Sequence, residues 1–244
     1  IDRSNRRREC RQELNGVGYK VNLIVDDNSV LAEAPPSGGA SHFGQDTWQQ
    51  LVDYAGMLER EGELRGLLGP RELKRLWTRH LLNSMAILDF IPFEAKVVDV
   101  GSGAGFPGVV AAIVRKDLRL VLVDSMERRA RWLNDVVKDL SLPNVEVVHA
   151  RSEDLVGKVD ADTVTARAVA ALRKLLPWTM PLLKGGGSLL ALKGARVDEE
   201  IDDAIHLLRK YRAKWADVHV VIPFGTTEET RVLEVRKKQT NRHR

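Results

Sequence analysis

Between residues 96 and 235, short apolar runs alternate with amphipathic stretches at helical spacing. Lys96–Val100 and Leu120–Asp124 carry too few polar positions for a half-exposed strand, and read as strands buried on both faces. Three further strands are predicted at Asn144–His149, Asp162–Ala166 and Ser188–Leu192, the last entered through the turn Gly185-Gly186-Gly187. Helices are predicted between them at Val109–Arg115, Glu127–Leu140, from Val169 onward, and at Asp198–Tyr211. Val218–Ile222 and Arg231–Val235, joined by Phe224–Glu229, read as a closing antiparallel pair. The alternation predicts an α/β domain over 96–235, a doubly wound, mostly parallel sheet whose last two strands run in reverse.

Ahead of the first strand, the spacing changes to purely helical. One helix is predicted from Asp46, capped by Asp46 or Thr47, with Trp48, Leu51, Val52, Ala55 and Leu58 on its inner face. A second starts at Gly69-Pro70, with Pro70 in its first turn and an inner stripe from Leu73 to Leu88. Arg71, Lys74, Arg75 and Arg79 crowd its outer side, and His80 lies at the edge of its inner stripe. Residues 43–95 are therefore expected to form a small helical cap beside the ligand crevice. Residues 1–42 are expected to be a poorly defined, flexible segment; they hold a linker-like Ala34–Gly39 and one short strand at Val21–Val25.

The chemistry centres on the turn after the first buried strand. Gly101, Gly103, Gly105 and Gly108 let backbone approach a ligand closely, and Pro107 suits the start of a helix. Strand, glycine turn and helix N-terminus form a cofactor cradle, but the glycine spacing alone also fits a dinucleotide. Asp99 tips the choice: its carboxylate is expected at the mouth of the strand, facing the ligand, where it repels a pyrophosphate and attracts an ammonium or sulfonium. S-adenosylmethionine carries both. Asp124 ends the second strand 23 residues after Gly101, near the ~20-residue spacing of an acid that holds ribose hydroxyls. Glu153 and Arg167 fall at the ends of the third and fourth strands, where a doubly wound sheet binds its ligands.

Charge and composition narrow the partners. The net charge of +4 is concentrated at the two ends: residues 1–12 carry +3 and residues 236–244 carry +5, leaving the middle of the chain acidic. The end blocks read either as solvated tails or as sequence-independent phosphate contacts. The single cysteine, Cys10, allows no disulfide framework and stands far from any candidate centre. No apolar run is long enough to cross a membrane and no signal-peptide core is evident, so a cytoplasmic chain is expected.

At this point the chain resembles a known family. VVDVGSGAGFPGVVAAI, LVDSMERRARWL, ARSED, TARAVAAL and LLALKG, with the helix GPRELKRLWTRHLLNSMAIL, are similar to RsmG (GidB), the bacterial 16S rRNA guanine-N7 methyltransferases. The likeness spans roughly residues 43–237. It implies a Rossmann-like class I S-adenosylmethionine-dependent fold and methylation of a guanosine in the 530 loop. The partner it implies is 16S rRNA or the small ribosomal subunit. The family's cofactor contacts map onto Gly101, Phe106, Ser152, Glu153 and Arg167, beside the glycine-turn residues Ser102, Gly103 and Gly105 and the acids Asp99 and Asp124. Phe106 stands where the family often has Leu, and apolar contact is expected to survive that change.

Guanine N7 offers a lone pair and has no proton to lose, so its methylation needs positioning and electrostatics rather than a general base. Consistent with this, the fourth strand ends in Thr165-Ala166-Arg167-Ala168, not in the Asn/Asp-Pro-Pro-aromatic turn of amino-group methyltransferases. Cytosine-C5 methylation requires a cysteine nucleophile, and the only thiol, Cys10, is in the wrong place for it. Arg167, Lys193 and His80 are the expected catalytic residues, and Arg79, Arg231, Arg236 and Lys237 the expected RNA contacts. No metal is expected, and a monomer is. Two alternatives stay open: a small-molecule methyltransferase of the same fold, and a noncatalytic RNA-binding module with a vestigial cofactor pocket.

Overall fold

The computed structural model describes residues 32–240, together with the backbone of residues 9–14 and 17–22. The latter two stretches form a hairpin, β1 (Glu9–Leu14) antiparallel to β2 (Val17–Asn22), in a separate compact unit, Ile1–Leu31. A strand therefore lies near the predicted Val21–Val25 but starts earlier; Val25 itself is outside the described residues.

The second unit begins at Ala32. Helix α1 (Gly39–Phe43) leads into α2 (Gln45–Glu61), which starts after Gly44 and has no side-chain cap, so neither Asp46 nor Thr47 caps it. Residues 33–42, predicted within the flexible segment, fold onto the cap. The Glu33 backbone N–H donates to the Leu73 carbonyl at 3.1 Å, and His42 stacks on Phe224 with ring centres 4.2 Å apart.

Pro70 opens the next helix as predicted, but the helix is not continuous. It runs as α3 (Pro70–Leu73), a π-helical stretch at Leu76–Leu82, and α4 (Asn83–Met85). A π-turn rotates the residues beyond it relative to those before it, and such turns concentrate at functional sites.

The sheet contains β3 (Lys96–Val100), β4 (Arg119–Asp124), β5 (Val145–His149), β6 (Ala161–Arg167), β7 (Leu183–Lys193), β8 (Ala213–Val221) and β9 (Thr230–Lys237). Its order is β5-β4-β3-β6-β7-β9-β8, parallel through β7, with β9 and β8 antiparallel. The seven-stranded, end-reversed sheet matches the prediction. Two details differ. The triple glycine lies inside β7 rather than in a turn before it, and the helix expected at Asp198–Tyr211 breaks at Ala204 into α8 (Val197–Asp203) and α9 (Ile205–Lys210).

Helices α5 (Gly108–Val114) and α6 (Glu127–Asp139) cover one face with the cap, and α7 (Leu172–Thr179), α8 and α9 cover the other. Successive strand residues point to opposite faces. Val97 thus joins the cluster with Leu51, Tyr54 and Trp77, while Val98 and Val100 join Leu172, Leu176 and Leu189. The cap is part of the main core rather than an appendage, because Leu51, Leu58 and Leu81 are fully buried against α5 and the sheet.

Gly108, at the start of α5, sits directly over Asp99 of β3. A Cβ there would lie 2.6 Å from Asp99 Oδ2 and would also meet Leu122. Gly108→Ala is expected to destabilise the fold by about 1–3 kcal/mol, the usual cost of overpacking. Urea unfolding checks this; a loss below about 0.5 kcal/mol would mean that the helix start has room to shift.

Candidate active site

The glycine turn follows β3 at the carboxyl ends of the parallel strands, where Gly101, Gly103 and Gly105 adopt φ values of +69°, +59° and +114°. These lie in the left-handed region that residues with a Cβ rarely enter. Two buried aromatic groups pin the turn. The Tyr54 hydroxyl of α2 donates to the Ala104 carbonyl at 2.7 Å, and the Trp132 indole of α6 donates to the same oxygen at 2.8 Å. Each such bond adds roughly 0.5–1.5 kcal/mol net, so elements on both flanks of the crevice fix one loop.

A cavity of about 640 Å³ opens above the turn. Its walls come from the cap (Leu67, Leu68, His80), the turn, the end of β4 and the segment after β5. Of the predicted cofactor residues, Gly101, Ser102, Gly103, Phe106, Asp124, Ser152, Glu153 and Arg167 all line it. Gly105 faces inward against Tyr54 and Val109 instead.

Asp99 corrects the sequence reading. Its side chain is fully buried and does not line the cavity. Oδ1 accepts a hydrogen bond from Thr165 Oγ1 at 2.7 Å, and Oδ2 accepts one from the Gly108 backbone N–H at 3.2 Å. The neighbouring strand and the helix N-terminus thus turn the carboxylate under the loop, and it presents no charge to a ligand. The acids exposed to the cavity are Asp124 and Glu153.

Asp124 ends β4 and accepts from the Gly103 N–H at 2.9 Å and the Met126 N–H at 2.9 Å, one on each oxygen. A carboxylate oxygen has two lone pairs, so each oxygen keeps one for a ribose hydroxyl. Arg129, which the sequence reading missed, lies 3.8 Å from Asp124 and lines the cavity. Its buried Nε has no hydrogen-bond partner among the described residues. An orphaned buried donor, left-handed glycines and a strand-end acid with free lone pairs fit a polar ligand of nucleoside type.

Arg167 ends β6 and is held from the cap side. Its Nη1 donates to the His80 carbonyl (3.1 Å) and Ser84 Oγ (3.3 Å), and its Nη2 donates to His80 Nδ1 (2.6 Å). The guanidinium lies 5.3 Å from the centre of the Phe106 ring. Burial lowers its pKa to about 10, so it stays charged. Two of its five N–H donors, on Nε and Nη2, have no partner among the described residues. His80 is 6% exposed and its Nε2 meets Glu72 Oε2 at 2.7 Å. Burial, followed by the Arg167 charge, lowers its pKa to about 4. A neutral imidazole with both nitrogens engaged is not available as a general base.

The remaining predicted residues separate. Lys193 does not reach this cavity; it lines an adjoining one of about 310 Å³, donating to the Ala170 carbonyl at 2.9 Å and to Glu200 at 2.7 Å. Arg231 pairs with Lys193 across β7 and β9, at the carboxyl end of the parallel strands. Arg79 is exposed beside the crevice, 3.4 Å from Glu72. Arg236 and Lys237 are not brought to the crevice. Both belong to β9 rather than to a tail, and Arg236 pairs with Ser188 toward the amino-terminal ends of the parallel strands, away from the crevice. Lys237 spends its ammonium on the Met180 and Leu183 carbonyls, at 2.8 and 2.6 Å.

Residues 47–222 match the family described as rRNA small subunit methyltransferase G, GidB. The chain belongs to the GidB family. Among its curated relatives, the ribosomal RNA small subunit methyltransferase G of Beutenbergia cavernae is 48% identical over 191 residues, covering 78% of this chain and 90% of that one. The protein of the same name from Thermobifida fusca is 49% identical over 183 residues, covering 75% and 77%. Solved structures share the fold at low identity. TYW2 of M. jannaschii, solved in complex with AdoMet, has a TM-score of 0.50 at 15% identity, covering 97% of this GidB chain and 89% of its own. An S-adenosylmethionine-dependent O-methyltransferase from Thermotoga maritima gives 0.50 at 15% identity, covering 65% and 64%. The Rossmann-like methyltransferase fold expected from the residues is therefore the fold of this GidB protein.

Burial raises the Asp99 pKa to about 6, against the hydrogen bonds from Thr165, Ser102 and Gly108, which lower it. The folded protein holds this proton more tightly than the unfolded chain, whose carboxyl titrates near 4. The stability linked to that proton is present below the unfolded value and is lost as pH rises through about 6. Melting temperatures of the wild type and Asp99→Asn, compared from about pH 4.5 to about 7.5, are expected to shift in the variant's favour up to about pH 6 and to level off above it. A pH-independent difference would place the proton elsewhere.

Proposed function

We propose that this chain transfers a methyl group from S-adenosylmethionine to N7 of a guanosine in 16S rRNA, in the 530 loop. The supporting observation is Arg167: a half-buried, charged donor stands where a base or an amine-orienting turn would otherwise be. The cofactor supplies an electrophilic methyl group when bound. The glycine turn, Asp124 and Arg129 hold its nucleoside portion, Glu153 receives its adenine amino group, and Phe106 gives it an apolar surface.

The target N7 has no proton to release, so none of these side chains needs to move one during transfer. Arg167 offers its two free N–H donors to guanine O6, leaving N7 bare for in-line approach. Arginine usually grips O6 and N7 together; here Arg167 contacts O6 alone, so that N7 keeps its lone pair for the methyl group. The positive charge travels with the methyl group: the sulfonium becomes a neutral thioether and the product base carries the charge. Arg79 and Arg231, at the rim, contribute phosphate contacts whose strength falls with salt.

Two measurements test this reading. Arg167→Ala is expected to fold and to bind S-adenosylmethionine in calorimetry, but to lose at least about 100-fold in methyl transfer to unmethylated small subunits or 16S rRNA. Unchanged turnover would remove Arg167 from the reaction. Arg79→Ala is expected to weaken RNA binding and to flatten the plot of log affinity against log salt by roughly one unit; an unchanged slope would place Arg79 outside the RNA footprint.

A further inference from the structure

Glu72 was not among the residues singled out from the sequence, yet it stands at the end of a chain of contacts that reaches Arg167. Its Oε2 lies 2.7 Å from His80 Nε2, and His80 Nδ1 lies 2.6 Å from Arg167 Nη2. The direction of both bonds follows from donor chemistry. An arginine has no acceptor, so Nδ1 must receive the Arg167 proton and Nε2 must carry the ring hydrogen. That hydrogen then points at the Glu72 carboxylate, the only arrangement in which both short contacts are hydrogen bonds.

The contact crosses an interruption in the helix. Glu72 belongs to α3, whereas His80 lies in the π-helical stretch Leu76–Leu82. The same stretch gives Arg167 a second anchor through the His80 carbonyl, while Ser84 Oγ, itself donating to that carbonyl at 2.6 Å, gives a third. Ring and backbone of one residue therefore hold two nitrogens of the guanidinium. Packing does not require a carboxylate at position 72, whose side chain is 40% exposed and whose other charged partner among the described residues is Arg79, at 3.4 Å.

We infer that Glu72 is a positioning residue for methyl transfer: it fixes the His80 tautomer, and through it the orientation of Arg167. If Glu72 is removed, the ring hydrogen is free to move to Nδ1, where it faces the guanidinium donor to donor. Arg167 then loses its aim without losing its charge. The inference rests on the proposed role of Arg167 toward the base.

The test compares Glu72→Leu, Glu72→Gln and Arg167→Ala in the full chain, with melting temperature and S-adenosylmethionine calorimetry recorded for each. In the wild type, ¹⁵N NMR at neutral pH is expected to show His80 with a bare Nδ1 and a protonated Nε2. Glu72→Leu is expected to give mixed tautomers and a kcat lower by about 10- to 100-fold, the scale on which groups that orient a catalytic partner act. Glu72→Gln, whose carbonyl still accepts from Nε2, is expected to restore the tautomer and most of the kcat. A wild-type ring protonated at Nδ1 would overturn the inference, as would a Glu72→Leu variant with mixed tautomers and full kcat. A Gln variant with a restored tautomer but no restored kcat would overturn it too. If Arg167→Ala itself keeps full activity, the proposed reaction chemistry fails; if only the Glu72 variants are silent, that chemistry stands and the relay fails.

Discussion

A buried carboxylate beneath a glycine turn governs this molecule. Asp99 joins three elements at once: its own strand β3, β6 through Thr165, and the start of α5 through the Gly108 N–H. Burying a carboxylate is costly unless hydrogen bonds surround it, and these donors are available only when the turn is wound as observed. The turn is thereby set from below by Asp99 and from the sides by Tyr54 and Trp132, which share the Ala104 carbonyl. Cap, sheet and flanking helix cannot separate without breaking a bond to the loop that forms the cavity floor.

The same logic continues across the crevice. β6 places Thr165 under the turn and, two residues later on the same side of the strand, Arg167 above it. One strand thus sets both the floor of the cavity and the charge proposed to face the substrate. The cap supplies the counterpart, with the π-helical stretch offering His80 to Arg167 through ring and backbone together. Site geometry and core packing are in this sense one structure, since Trp77 and Leu81 of that stretch are buried among the residues that pack on α5.

Much of this was legible in the residues. Uniformly apolar runs identified the buried strands, because strands covered on both faces have no polar period. Positions of Asp124, Glu153 and Arg167 at strand ends followed directly from those runs. What could not be read was side-chain direction. Asp99 stands at a strand mouth, but whether it faces up or down depends on Thr165, 66 positions away. Tyr54, Trp132 and Glu72 escaped for the same reason, since each acts through a partner distant in sequence or across a helix interruption. Arg236 and Lys237 looked like a tail because charge density resembles disorder in composition; the apolar alternation of β9 carries them into the sheet, at the end away from the crevice.

The most direct measurement is the identity of the modified atom. Small subunits lacking the methyl group would be incubated with this protein and labelled S-adenosylmethionine. The rRNA would then be cleaved at 7-methylguanosine by borohydride and aniline and the break mapped. A single break, accounting for all incorporated label, is expected within the 530 loop of 16S rRNA. Label that resists cleavage because it sits on an exocyclic amine or another base would contradict a site built around a charged donor and no base.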